Sequence, residues 1–316
     1  MRTVSHTDVK AAADRIHGRI RPVTVAPVDA GTFPGPVWLA QEYMQHTGSF
    51  KARGAVNFLL GHLEAGSLPD AGVTIASGGN AGLACAWAAQ QHAVTATVFL
   101  PASAPAVKVD KLRRYGADVR LVEGEYADAA RVCAAFAEQS GALASHAYDH
   151  PLIAAGAGTV VDEILAQVPA LDTVVVAVGG GGLFAGVAAA ATGHSLRVVA
   201  VEPENSRALN AAIGAGEPVD VDVDSVAADS LGARRTSRTA LDLALRGDVR
   251  SVLVPDEAIT SARALLWDQR RIAVEHGAAT ALAGLTSGAY RIGRGERVAV
   301  VLCGANTDPG DLVRRD

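Results

Sequence analysis

The sequence predicts an α/β protein of two lobes, each an open, mainly parallel sheet flanked by helices. Three observations carry this. Between Val73 and Ser145, short apolar runs alternate with helix-length runs as β-α-β-α-β-α-β, the pattern that builds a parallel sheet with helices on its faces. A second set begins at Thr173–Val178, an uninterrupted apolar strand that runs into Gly179-Gly180-Gly181-Gly182 and then a helix. Hydrophobic residues make up 49% of the chain but aromatics only 4%, so alanine and glycine dominate and suit close packing of helices on sheets. The 316 residues suffice for two such units.

Taken in order, Thr7–Ile16 reads as an amphipathic helix capped by Ser5 or Thr7. Arg21 to Pro36 is a Pro- and Gly-punctuated loop with short extended pieces, and Val37–Tyr43 is a strand. Ser49 reads as the N-cap of a helix over about 52–63, which puts Lys51 in its first turn. The alternation then gives strands at 73–76, 93–100, 119–122 and 142–145, with helices at 83–91, 105–115 and 126–139. A long helix is expected over 152–167, a helix over 183–192, a strand over 197–201 and a helix over 206–213. The acidic stretch 214–241 carries no readable period. Beyond it come a strand at 251–254, helices at 256–274 and 277–288, and a final strand at 297–303. The lobes are expected to divide as 1–45 with 147–316, a large lobe, and 46–146, a small one, with the lysine helix at their junction.

Composition excludes several function classes. A net charge of −5 with no basic block argues against nucleic acid. Cys85, Cys133 and Cys303 are odd in number and far apart, which indicates neither a disulfide framework nor a zinc knuckle and suits a reducing compartment. The N-terminus is polar, and no charge-free apolar run reaches membrane-spanning length. A cytoplasmic protein is expected.

Four features carry chemistry. A lysine at a helix N-terminus, where the dipole is already positive, is either simply solvated or is needed as a neutral amine, a Schiff-base nucleophile and base. The tetraglycine sits between a buried strand and a helix, where bare backbone N–H groups make an anion site for a phosphate. Gly180, Gly182 and Ala185 also fit G-x-G-x-x-A, with Glu202 ending the next strand, so an NAD-dependent oxidoreductase using 179–202 is a rival. The turn Ser77-Gly78-Gly79-Asn80-Ala81-Gly82 exposes amides, a hydroxyl and a carboxamide that could bind a carboxylate or a phenolic oxygen, or could be an ordinary cap. Cys303-Gly304-Ala305-Asn306 ends a strand, where α/β ligands bind, although a lone cysteine is commonly a small buried hydrophobe. Glu275, before His276-Gly277, faces a site or merely begins a helix, and His146 with His150 is a weak metal pair.

In combination, Ser49-Phe50-Lys51-Ala52-Arg53-Gly54-Ala55, the S-G-G-N-A-G turn and the G-G-G-G-L turn resemble the fold-type II pyridoxal phosphate enzymes, with the tryptophan synthase β-like fold. Nearly the whole chain is similar to the threonine/serine dehydratases, with the serine racemases as cousins. The resemblance implies that Lys51 holds pyridoxal 5′-phosphate as a Schiff base and abstracts the Cα proton. It further implies that Gly179, Gly180, Gly181 and Gly182 cradle the phosphate, that Asn80 meets the ring's 3′-oxygen, that Cys303 meets the pyridine nitrogen and that Phe50 packs on the ring. Ser77 and the amides of the turn through Gly78, Asn80 and Ala81 would hold the substrate carboxylate. The implied reaction is β-elimination from L-threonine or L-serine to ammonia and 2-oxobutanoate or pyruvate, in a homodimer.

Departures sharpen the reading. Racemases place a second base, a serine, where this chain has Gly78, which argues against racemisation. Ala81 stands where histidine is usual, and Ala155-Gly156-Ala157-Gly158-Thr159 replaces A-G-Q-G-T. Glu202 would ligate a cation as in relatives, but Ala208 stands where the racemases carry a second acid, so a monovalent ion such as potassium is expected. The chain ends about a dozen residues past Cys303, so isoleucine feedback is not expected. A fold of this kind that binds the cofactor without turnover is the non-enzymatic alternative.

Overall fold

The computed structural model describes residues 3–313. In chain order the elements are α1 (His6–Ile16), β1 (Val25–Pro27), β2 (Val37–Ala40), α2 (Lys51–Glu64), β3 (Val73–Ala76), α3 (Asn80–Gln91) and β4 (Ala96–Pro101). Next come α4 (Ala106–Arg114), β5 (Asp118–Val122), α5 (Tyr126–Ser140), β6 (Leu143–Ala144), α6 (Pro151–Gly158), α7 (Val160–Gln167), β7 (Thr173–Ala177) and α8 (Gly182–Thr192). The chain finishes with β8 (Arg197–Pro203), α9 (Ala208–Ala215), α10 (Ala228–Leu231), α11 (Arg238–Arg246), β9 (Val249–Val254), α12 (Asp256–Arg270), α13 (His276–Thr286), β10 (Val298–Val301) and α14 (Gly310–Val313). Single-turn 3-10 helices lie at Glu42–Met44 and His46–Gly48. Among the described residues no helix is long and apolar enough to cross a membrane.

The strands form two sheets. One has six strands in the order β1-β2-β10-β7-β8-β9, the other four in the order β5-β4-β3-β6. Every pairing is parallel except β1 with β2. The fold class read from the sequence therefore holds. Strand β7, Thr-Val-Val-Val-Ala, sits inside the six-stranded sheet and every residue of it is buried. That explains a run with no polar alternation.

Glycines set how the helices meet. A Cβ on Gly156 of α6 would lie 2.6 Å from the carbonyl oxygen of Arg53 and 2.8 Å from the Cα of Gly54, both in α2. A Cβ on Gly158 would strike the carbonyl of Gly186 in α8. Two residues along a helix turn about 200° around its axis, so α2 and α8 lie against nearly opposite sides of α6. The Ala155–Thr159 motif is thus a double crossing point. Position 157 between the glycines is a buried alanine.

The helix expected over 152–167 is two helices. Thr159 separates α6 from α7, its hydroxyl donating to Gly156 O at 2.7 Å and accepting from Arg53 Nη1 at 3.0 Å. Helix α3 begins at Asn80, three residues before the expected start, which brings Asn80 into the first helical turn. The stretch without a readable period holds α10 and leads into α11, whose N-cap Ser237 accepts from Ala240 N.

Candidate active site

Lys51 opens α2, but not through the expected cap. Ser49 is extended, with φ −161° and ψ 159°, and bridges Gly304 in antiparallel fashion. Phe50 takes the N-cap position and donates its N–H to Cys303 O at 3.0 Å. The Ser49 hydroxyl caps nothing and is buried without a partner. This tie places the end of β10 beside the start of α2, and so Cys303 beside Lys51. Lys51 Nζ donates to Ala147 O at 2.8 Å and sits 4.8 Å from the centre of the Phe50 ring. Burial lowers its pKa to about 8, against the opposing pull of Cys303 and Glu275. Desolvation is the cause that brings the amine towards neutrality.

The tetraglycine turn joins β7 to α8. Gly181 adopts φ +94°, the left-handed region that favours glycine. A Cβ on Gly179 would lie 2.9 Å from the Cα of Leu231, and one on Gly182 would lie 2.9 Å from the Cα of Tyr148. A Cβ on Gly180 would strike the Tyr148 ring. The glycines are bare because the turn is walled by Leu231 and Tyr148. The first hydrogen bond of α8 is Ala185 N to Gly181 O at 2.8 Å, so the amides ahead of it have no partner within the helix. Tyr148 follows Ala147, the lysine's acceptor. One dipeptide thus touches both the amine and the glycine turn.

Asn80 opens α3 and faces two residues from distant chain segments. Its Nδ2 donates to Glu275 Oε1 and Oε2 at 2.9 and 3.0 Å, and its Oδ1 accepts from Asn306 Nδ2 at 2.7 Å. Ser77 Oγ accepts from Gly79 N at 3.3 Å, which folds the turn over itself. A Cβ on Gly82 would strike Ser77 O, so that glycine serves the turn's packing. Ala81 is buried. Cys303 is buried, and desolvation pushes its thiol up to about 12, with Glu275 adding and Lys51 opposing. It is neutral at physiological pH.

Other candidates go elsewhere. Glu202 is fully buried, and its two oxygens accept from Leu209 N at 2.7 Å and Asn210 N at 2.8 Å, at the N-terminus of α9. Burial still pushes its pKa up to about 7. A carboxylate so enclosed cannot reach a ribose, which removes the acid the dinucleotide reading needs. His146 Nδ1 accepts from Tyr148 N and Asp149 N, and His150 Nδ1 caps α6 through Leu152 N. Among the described residues no group of three or more His, Cys, Asp or Glu is placed to hold a metal.

The residues fit the cofactor that the resemblance implies. There is a buried amine held near neutrality, a bare glycine turn at a helix N-terminus, a carboxamide with an N–H to offer and a neutral buried thiol. Sequence reasoning missed Ala147 and Tyr148, which no motif marks, and left Glu275 undecided. Asn306 was visible only as part of the strand-end motif.

Comparison with known proteins agrees. A family model described as "Pyridoxal-phosphate dependent enzyme" matches residues 17–304. The phenylserine dehydratase of Ralstonia pickettii is 37% identical over 279 residues, covering 86% of this chain and 83% of that protein. The L-threonine ammonia-lyase of Thermotoga maritima is 32% identical, covering 87% of this chain and 68% of that protein. The crystal structure of a pyridoxal 5′-phosphate-dependent aspartate racemase superposes with a TM-score of 0.88 at 30% identity, covering 98% of both chains.

Proposed function

This chain belongs to the family of pyridoxal-phosphate dependent enzymes, and from that membership we propose a lyase that eliminates the β-hydroxyl of a small hydroxy amino acid and releases ammonia and a keto acid. L-Threonine and L-serine are the first substrates to test, with phenylserine and hydroxyaspartate beside them. The observation that carries the reading is Lys51, a buried amine with pKa about 8, hydrogen-bonded to Ala147 next to the wall of the glycine turn.

Gly179, Gly180, Gly181 and Gly182 would hold the phosphate with their amides, Asn80 the ring oxygen and Lys51 the aldehyde carbon. Phe50 would pack on the ring. When bound, the cofactor supplies an electron-withdrawing ring that acidifies the Cα–H of the amino acid. Once the substrate's amine has displaced it from the aldehyde carbon, Lys51 Nζ would be free to take that proton, with the Ala147 carbonyl orienting it. Cys303 would offer the ring nitrogen an uncharged thiol, which would give it no full proton and so limit the charge that builds up there. Ser77, Gly78 and Ala81 line the turn that would take the substrate carboxylate. Gly78 carries no proton to deliver to the opposite face, which favours elimination over racemisation.

The expectation of potassium at Glu202 has less support, because both its oxygens already accept backbone N–H groups. We divide the chain into a cofactor-binding lobe of 1–45 and 147–316 and a smaller lobe of 46–146, following the two sheets. A cytoplasmic homodimer completes the proposal; the three buried free cysteines suit a reducing compartment.

The test is keto-acid release from the four amino acids named, with Lys51→Ala as control. Activity and a visible absorbance band should both vanish in the variant. A colourless protein that binds NAD overturns the reading. Cofactor binding without keto acid from any of the four makes the protein a binding module.

A further inference from the structure

Glu275 stands at the N-cap of α13, yet its side chain does not cap that helix. Such a carboxylate ordinarily accepts its own helix's N–H groups. Here it spans to Asn80 instead and also accepts from Asn306 N at 2.7 Å. Its own N–H donates to Gly304 O at 3.0 Å, and a Cβ on Gly304 would lie 2.9 Å from Oε1. Only a bare residue at 304 leaves room for the carboxylate. Asn306 closes the ring, with Nδ2 donating to Asn80 Oδ1 at 2.7 Å and to Thr47 O at 2.6 Å.

Every donor and acceptor role in this ring is forced. The Thr47 carbonyl accepts only, so the nitrogen of Asn306 must face it, and that nitrogen's second hydrogen goes to Asn80 Oδ1. The Glu275 carboxylate accepts, so Asn80 must present nitrogen to it. The two N–H bonds of a carboxamide diverge too widely for both to reach the oxygens of one carboxylate. One N–H is therefore shared between Oε1 and Oε2, and the other is left over. Without the ring, the carboxamide could turn over and offer oxygen, which repels a phenolic oxygen.

We propose that Glu275 and Asn306 are positioning residues that lock the Asn80 carboxamide with its spare N–H presented to the cofactor's ring oxygen. This rests on the reading of the chain as a pyridoxal-phosphate enzyme. Glu275 acts through Asn80 and needs no contact with substrate.

The test is equilibrium binding of pyridoxal 5′-phosphate to cofactor-free protein, followed by absorbance. Glu275→Gln, which can donate to Asn80 and allow it to turn, should weaken binding about tenfold to a hundredfold. Asn306→Ala keeps the backbone N–H to Glu275 but frees Asn80 Oδ1, and should weaken binding about tenfold. In an Asn80→Ala background, Glu275→Gln should weaken binding no further, a non-additivity that a merely structural role would not show. Wild-type affinity in Glu275→Gln, or full additivity with Asn80→Ala, overturns the inference. Should Glu275→Gln fail to fold, Asn306→Ala with unchanged affinity overturns it equally. A wild-type protein that binds no cofactor overturns the functional reading and this inference with it.

Discussion

Arg53 and Glu42 are joined at two points, Nε to Oε2 at 2.8 Å and Nη2 to Oε1 at 2.6 Å, and neither side chain reaches solvent. Glu163 binds the same guanidinium at 2.8 Å through each of its oxygens. Burial alone would lower the Arg53 pKa, but Glu42 and Glu163 outweigh it and raise it further. The cluster pins α2 two residues from Lys51.

Arg53→Met leaves Glu42 buried and unpaired. Breaking a buried pair in this way costs about 3–5 kcal/mol. Urea denaturation should show a loss of that size, and a loss below about 1 kcal/mol would mean that Glu42 finds water instead.

The amine of Lys51 should react as a base with pKa about 8 in cofactor-free protein. The neutral form is the reactive one, so modification by a small aldehyde rises with pH and reaches half its maximum near 8, against 10.5 for an ordinary lysine. Glu275 raises this pKa, so Glu275→Gln should move the midpoint down. Peptide mass spectrometry across pH reads both. A midpoint near the ordinary lysine value would contradict the burial.

Cys303 and Cys85 are both pushed up to about 12 by burial, and Cys133 is raised for the same reason. Burial thus disfavours the thiolate at each, so all three should resist alkylation at pH 8 until the protein is unfolded. Mass spectrometry of native and denatured samples checks this. Cys303→Asp, by giving the ring nitrogen a proton partner, should divert product from keto acid to transamination or racemisation; an unchanged product ratio would count against the role given to Cys303.

Gly78→Ser tests the one-sided proton transfer. The new Cβ would lie 2.7 Å from Leu100 Cδ2, the end of a flexible side chain, so the substitution is accommodated by a shift of Leu100. D-Serine should then form from L-serine, measured by chiral chromatography. No D-serine from a folded, active variant would place the turn differently from the racemases.

Much of this was legible in the sequence because it is local. The apolar run of β7, the glycine turn after it and the Ser49–Ala55 motif declare themselves within a few residues. What was not legible depends on partners far along the chain. Asn80 and Glu275 are 195 residues apart, and Asn80 and Asn306 are 226 apart. At the break, the Thr159 hydroxyl donates to Gly156 O and accepts from Arg53, a partner 106 residues away that no local pattern announces. The stretch before α11 is held by contacts without period, such as Ser206 Oγ to Leu231 O at 2.9 Å and Val221 N to Arg234 O at 2.8 Å.

The double crossing at Gly156 and Gly158 makes α6 a calliper. The helix bearing the lysine is clamped on one side and the helix beginning at the glycine turn on the other, each meeting the backbone of α6 at a glycine. The separation between the helix that opens with Lys51 and the helix that follows the glycine turn is therefore set by α6 between them. It is set when the chain folds, by atoms that no rotamer change can lengthen. A methyl group added at either glycine would widen that gauge while leaving Lys51 and the glycine turn themselves unchanged in sequence.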